Sequence, residues 1–223
     1  METDYLDELV ARLRDCIGGE LVGVYAGGSY ALGDYDRRTS DLDVTTVTRR
    51  RTPRTRAEKI VAAVRHEALP CPARGLELVL YPLATARSGK VEPGFDLNLN
   101  TGPGVPPRVD FEPVEGEGHW FAIDRSVLAA HGIALFGPPA AAIFVSPARV
   151  ELLPLLAGTL RWFLRAGDVG DAAMLNACRS LRYGREGVWS SKPAAGDWAR
   201  LQGLEPRPDA PFLESVIAEL ERG

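Results

Sequence analysis

Two aspartates one residue apart, Asp41 and Asp43, stand in the run Ser40-Asp41-Leu42-Asp43-Val44 of a 223-residue chain. On a strand, residues two apart point to the same face, so the pair would present two carboxylates side by side while Leu42 and Val44 turn to a core. Two like charges held that close call for a cation. Hard oxygen ligands suit Mg2+, which takes one or two carboxylates and completes its shell with water and substrate phosphates. Upstream, the glycines of Gly27-Gly28-Ser29 let the backbone approach a phosphate, and Ser29 adds a hydroxyl if a helix starts there with free N–H groups. A third carboxylate, Glu77, is the one charge in the apolar run 76–81, where a charge is costly unless paired or bound to metal. On neighbouring strands the three acids would form a metal-binding triad. Two metals could then clamp a triphosphate and activate an attacking hydroxyl, or Glu77 could serve as its general base.

These groups need a scaffold, and the hydrophobic periodicity supplies one. Leu6, Leu9, Val10, Leu13 and Ile17 recur at helical spacing before Gly18-Gly19, which predicts a helix over 3–17. Residues 21–25 read as a strand, 26–29 as a tight turn, and 41–47 as a second strand rich in Val and Thr. Ala57, Ile60, Val61 and Val64 mark a helix, residues 76–83 a near-continuous apolar strand, and 95–99 a fourth strand. The proline-rich stretch 102–113 predicts a surface loop, followed by a helix over 120–130 and a last strand over 133–136. Ser146-Pro147 reads as an N-cap and first helical residue. Helices are predicted over 147–165, 171–183, 193–201 and 211–222, with Pro154 kinking or dividing the first. Strands first and helices afterwards give an α+β fold: a mixed sheet with flanking helices over residues 1–146, then a small all-α domain over 147–223.

Composition narrows the partners. Twenty-six basic against 30 acidic side chains leave a net charge of -4, which argues against general affinity for nucleic acid or an anionic membrane. Any phosphate must be handled at a local site. Cys16, Cys71 and Cys178 are odd in number and widely spaced, without Cys-x-x-Cys, so neither disulfides nor structural zinc are expected. The acidic N-terminal residues lack signal-peptide character. A cytoplasmic monomer is the expectation.

Gly28-Ser29, eleven residues and then Asp41-x-Asp43 in an apolar strand resemble the signature of the nucleotidyltransferase superfamily related to DNA polymerase beta. Leu175-Asn176-Ala177-Cys178-Arg179, the run from Gly187 to Ala199 with Lys192, Asp197 and Trp198, and the stretch from His131 to Pro138 resemble one branch, the streptomycin/spectinomycin 3''- and 9-adenylyltransferases. The resemblance implies Mg2+, two ions, on Asp41, Asp43 and Glu77, with Glu77 also the catalytic base. It implies ATP as co-substrate, touched by Gly28, Ser29 and Ser40 and, from the helical domain, by Arg179 and Lys192. It also implies an aminoglycoside-type acceptor in the interdomain cleft, with an acidic contact at either Asp168 or Asp171. The linker after the first helix of the helical domain is short, and Trp162-Phe163 falls one position off the family's pattern; spectinomycin is therefore expected in preference to streptomycin. The rival expectations are transfer of a nucleotide to a protein or other small molecule, and a degenerate module that binds nucleotide without transferring it.

Each residue also has a plainer reading. Glu77 could be a solvent-facing strand carboxylate, Arg179 a salt-bridge partner within a helical bundle, and Lys192 a surface lysine. Asp34 and Asp36 read as loop and turn residues, Trp120 as packing, and Trp162, Trp189 and Trp198 as core or interdomain residues. Arg49-Arg50-Arg51 reads as a solvated loop.

Overall fold

A computed structural model describes residues 2–114 and 118–223. Met1 and residues 115–117, which belong to the first expected domain, lie outside the described residues. The chain runs α1 (Glu2–Ile17), β1 (Leu21–Ala26), α2 (Gly28–Leu32), β2 (Leu42–Thr48), α3 (Arg54–Val64), β3 (Leu76–Pro82), α4 (Leu83–Ala86), β4 (Leu97–Thr101), β5 (Arg108–Asp110), α5 (His119–His131) and β6 (Ile133–Phe136). The helices α6 (Arg149–Ala166), α7 (Asp171–Glu186), α8 (Lys192–Leu201) and α9 (Ala210–Leu220) follow. No helix among the described residues is long and apolar enough to cross a membrane.

Six strands form one mixed sheet in the order β5-β4-β3-β2-β1-β6. β2 and β3 run parallel, and the other neighbouring pairs run antiparallel. The sheet is two-faced. Leu42, Val44, Leu76, Leu78, Leu80, Leu97 and Leu99 bury themselves against Leu6, Leu9, Leu13, Ala57, Ile60 and Val64 of α1 and α3, because alternate strand residues share a face. The opposite face carries half-buried Asp43, Glu77, Val79, Asn98 and Asn100. β3 is therefore not uniformly apolar: its burial alternates, and Glu77 lies on the open face.

A second core joins α6 through α9, with Leu152, Leu156, Leu160, Ala177, Leu181, Trp198, Leu213 and Val216 fully or nearly buried. Ala122, Ile123 and Val127 of α5 belong to this core as well. α5 thus lies between the open face of the sheet and the helical layer. Its seat is fixed by Arg125, only 1% exposed, whose guanidinium donates to the carbonyls of Lys90, Glu92 and Pro93 at 2.8, 2.8 and 3.0 Å. A buried guanidinium survives only because its donors are occupied.

Several boundaries depart from the sequence expectations. The turn at 26–29 is instead the start of α2, with Gly27 as N-cap. Asp41 precedes β2, since the β2–β3 pairing starts at Leu42 with Leu76. The fourth strand begins at Leu97, and the predicted loop 102–113 contains β5, which pairs with β4. The short β5 sits at a sheet edge, where prolines on either side remove no ladder donor. Ser146 does not cap α6. Ala148 holds that position, and the Ser146 hydroxyl pairs with the Ser126 hydroxyl at 2.7 Å. Pro154 does not divide α6, because the hydrogen bond it forgoes would end on Val150, an exposed residue in the first turn where water can satisfy the carbonyl.

Candidate active site

Parallel pairing places Asp43 of β2 directly beside Glu77 of β3, and neighbouring strands lie about 4.8 Å apart. The same row continues across the sheet, Glu77 pairing with Asn100 and Asn100 with Arg108. Four polar side chains therefore cross the open face in line, which the sequence alone did not reveal because the β2–β3 and β3–β4 registers join separate segments and β5 falls in a stretch read as a loop.

Gly28 approaches this row from above. Its φ is +50, and a Cβ built there would stand 1.7 Å from Asp43 Oδ2. No side chain but hydrogen fits. Gly27 N–H donates to the Asp43 carbonyl at 2.9 Å, tying the start of α2 to the strand that carries the carboxylate. The first N–H groups of a helix have no partner within it, so the backbone of Gly28 and Ser29 offers donors beside the acids. Ser40 stands in the loop just before β2. Its hydroxyl accepts from Asp36 N–H at 3.1 Å and its carbonyl from Arg74 N–H at 3.3 Å, so it shapes the loop before β2. Asp36, as read from sequence, is a turn residue, accepting from the N–H and guanidinium of Arg38.

The three predicted acids are neighbours but not equals. Burial and then the surrounding charges of Asp124 and Asp41 push the Asp43 carboxyl up to about 7. Burial, followed by Asp43 and Asp41, does the same to Glu77, also to about 7. Asp41 is turned to Arg74, which donates from Nε and Nη2 at 3.0 and 2.6 Å. Among the described residues, no three His, Cys, Asp or Glu side chains are gathered closely enough to cage a metal ion. The donor chemistry still suits a divalent cation: two half-buried carboxylates in register, raised first by burial and then by one another and their acidic neighbours, with Asp41 adjacent. Asp43 and Glu77 fit such an ion as they stand. Asp41 could join them once released from Arg74.

Helix α5 contributes an acid that the sequence reading missed. Leu128 reaches within 3.2 Å of a Cβ built on Gly27, which sets this face of α5 over the glycine turn. One turn earlier on that face stands Asp124, open to the cleft, whose carboxyl is raised first by desolvation among the cleft walls and then by the charge of Glu77. The available signal was an acid at helical spacing between Trp120 and Leu128.

From the helical layer come two cations. Arg179 of α7 has its charge disfavoured by burial and supported by Asp124, Asp43 and Asp34, in that order; its Nη2 donates to Asn176 Oδ1 at 3.0 Å. Lys192, at the start of α8, is lowered by burial and by Arg179, while Asp43, Asp34 and Asp41 act to raise it. Both predicted cations thus face the acids. Asp34, read from sequence as loop solvation, joins this set, and its Oδ1 is buried without a partner among the described residues. Asp168 and Asp171 are exposed on the far side of Gly167, and Asp168 Oδ1 accepts from Gly170 N–H at 3.4 Å. Neither is brought to the acids and cations of the cleft by any described contact.

Beside the polar row lies a cavity of about 650 Å3, lined by Glu92, Arg108, His119, Trp120, Trp162 and Arg165 among others. Trp120 meets Trp162 edge to face at 5.3 Å and His119 at 3.9 Å. Trp162 is 43% exposed, so it is not a core residue; it packs on Trp120 across the two layers and walls this cavity. Trp189 and Trp198 are buried, as expected.

Comparison with known proteins gives similarity in part of the sequence and in the fold. Residues 6–86 match the nucleotidyltransferase domain family. No curated protein sequence matches the chain. Among solved structures, the chain is similar to spectinomycin adenyltransferase AAD(9) from Enterococcus faecialis, solved with ATP and spectinomycin, with 14% identity, a TM-score of 0.66, and coverage of 98% of this chain and 88% of that one. The fold is shared over almost the whole length, including the helices that supply Arg179 and Lys192, and residues 6–86 are similar to the nucleotidyltransferase domain family.

Proposed function

We propose that this chain transfers AMP from ATP to a hydroxyl of an aminoglycoside-type antibiotic, spectinomycin in preference to streptomycin, in a Mg2+-dependent reaction that releases pyrophosphate. The observation that carries the reading is the convergence of Asp43, Glu77 and the Gly28 turn with Arg179 and Lys192 from the helical layer. Asp43, Glu77 and Asp41 would hold the metal, whose contribution when bound is to neutralise carboxylates and phosphates in one place. Glu77, set beside Asp43 on the neighbouring parallel strand, is the carboxylate placed to take the proton of the acceptor hydroxyl. That oxygen then bonds to the α-phosphorus of ATP as the bond to the bridging oxygen breaks, and the electron pair leaves with pyrophosphate. Arg179 and Lys192 offset the charge on the phosphates, and Gly28 and Ser29 offer backbone donors to them.

Incubation with ATP, Mg2+ and an acceptor panel containing spectinomycin and streptomycin, read by mass, tests this directly. An added AMP on spectinomycin is expected; no adduct on any acceptor sinks it. One observation favours a second reading, a module that binds nucleotide without transfer: Asp41 is occupied by Arg74. Tight ATP binding indifferent to Mg2+ and to Asp41→Asn in calorimetry would select that reading.

A further inference from the structure

We infer that Asp124 is the specificity-determining residue that receives a protonated amine of the acceptor when the acceptor is seated in the cavity lined by Trp120, Trp162 and Arg108. The inference rests on the function proposed above and adds to it which side chain selects the acceptor's charge. Three placements carry it. Trp120, Asp124 and Leu128 follow one another at helical spacing on α5, so they form one stripe. The stripe starts in the cavity, where Trp120 is a wall, and ends over the glycine turn, where Leu128 meets Gly27. The sheet row Asp43, Glu77, Asn100, Arg108 makes the same journey below, since Arg108 also lines the cavity. A molecule in the cavity would therefore lie between these two lines, with one end at Glu77 and Asp124 within reach of it.

The chemistry at Asp124 points to a cation. It is exposed and makes no hydrogen bond or close ion pair among the described residues. Its neighbour in sequence, Arg125, is spent on three backbone carbonyls. Arg179 is the cation that faces Asp124 from the helical layer, and the phosphates of a bound nucleotide would draw on that same guanidinium, leaving Asp124 to the acceptor. The rest of the cavity cannot easily take over. Arg165 and Arg108 are positive, the latter held by Asp110 at 2.6 Å, and the acidic wall is Glu92. A ring stacked on Trp120 and Trp162, with its amine turned toward Asp124 and away from the arginines, satisfies both halves of the site.

The test uses the full chain and two readouts. Spectinomycin, whose amines are protonated near neutral pH, is titrated by calorimetry and tryptophan fluorescence into wild type, Asp124→Asn, Asp168→Asn and Asp171→Asn, and AMP transfer is followed separately. Asp124→Asn should weaken spectinomycin binding and raise its KM by about ten- to a hundredfold, the range expected when a charged hydrogen bond is lost. ATP affinity should be unchanged or tighter. N-acetylated spectinomycin, which lacks the charges, should bind wild type and Asp124→Asn equally. Three results would overturn the inference: no spectinomycin binding to wild type, equal loss with the acetylated probe, or a loss that appears with Asp168→Asn or Asp171→Asn and not with Asp124→Asn. Failure of AMP transfer with binding and its Asp124 dependence intact would instead remove the proposed function and leave the amine contact standing.

Discussion

Arg74 grips Asp41 through two hydrogen bonds, at 3.0 and 2.6 Å, while Asp43, two residues on, faces Glu77 across a parallel strand pair. The acids of the Asp-x-Asp motif are thus divided, one neutralised by a guanidinium and the other left with an uncompensated neighbour. Arg74 is 45% exposed at its side chain, so the pair is worth at most about 1 kcal/mol, a modest cost for a divalent ion to overcome.

Arg74→Met should therefore change metal response more than stability. Without Arg74 all three acids are free to share an ion, and the Mg2+ concentration giving half-maximal turnover should fall several-fold. In the absence of metal the same variant should melt slightly lower, because Asp41 then adds its charge to Asp43 and Glu77 uncompensated. Turnover against Mg2+ and paired melting curves read both effects. An unchanged Mg2+ dependence would mean that Asp41 does not meet the metal.

Gly28→Ala tests the close approach of the glycine turn. A methyl group there would overlap the Asp43 carboxylate at 1.7 Å in a backbone conformation, φ +50, that alanine rarely adopts. The backbone term alone costs roughly 1–2 kcal/mol, and relieving the overlap requires Asp43 to swing out of register with Glu77. Turnover should fall at least about a hundredfold, as displacement of a reacting group by an ångström does, while the circular dichroism spectrum stays that of a folded protein. Gly33→Ala is the control, since its φ is also positive, at +80, but nothing lies within 4 Å; it should lose stability and keep the turnover of its folded fraction.

Much of this site was legible before the fold. Asp41, Asp43 and Glu77 stood out because carboxylates interrupted apolar strands, and Arg179 and Lys192 because the runs around them resembled a family. Helix and strand periods gave the α+β order. What stayed hidden depended on pairing between distant segments. The row from Asp43 to Arg108 exists only through three strand registers, and Asp124 gains meaning only when Leu128 meets Gly27. Arg74 had no signal, since a lone arginine in a loop reads as solvated. Trp162, read as core or interdomain packing, packs on Trp120 of α5, but its place in a cavity wall was hidden, because a tryptophan at helical spacing looks the same whether it faces a core or a cavity.

The raised acids predict how metal-free stability varies with pH. Asp43 moves from an ordinary 3.8 to about 7 in the folded protein, so the folded state holds that proton more tightly than the unfolded chain does. Stability is then greatest below the unfolded value and declines as pH climbs through the folded one, after which the penalty is constant. Asp43→Asn removes the penalty. It should raise the melting temperature of the metal-free protein by several degrees near about pH 8, and change it little near about pH 4, where the carboxyl is protonated in the folded state and about half protonated in the unfolded one. Saturating Mg2+ should reverse the order by stabilising wild type and not the variant. Equal melting curves at the higher pH would show that Asp43 is not strained by its neighbours.

The seam between the sheet domain and the helical layer has its own test. Trp189, 4% exposed and stacked on Tyr183 at 3.9 Å, donates its indole N–H to Ser126 Oγ at 2.9 Å. Ser126 in turn shares a 2.7 Å hydrogen bond with Ser146. Two residues before it on the same helix stands Asp124, and three residues after Trp189 stands Lys192, so this hydrogen bond registers an acid and a cation of the cleft against one another. Ser126→Ala leaves the indole N–H and the Ser146 hydroxyl without their shared partner, at a cost of about 1–3 kcal/mol. The melting temperature should drop accordingly, and ATP affinity should weaken as Lys192 loses its fixed distance from the carboxylates. Trp189→Phe keeps most of the buried ring and removes the donor, so it should reproduce the loss of ATP affinity with a smaller loss of stability. If both variants melt lower yet bind ATP as wild type does, the hydrogen bond supports packing alone and Lys192 is positioned by the cap of α8, where Ser191 Oγ accepts from Ala194 N–H at 3.3 Å.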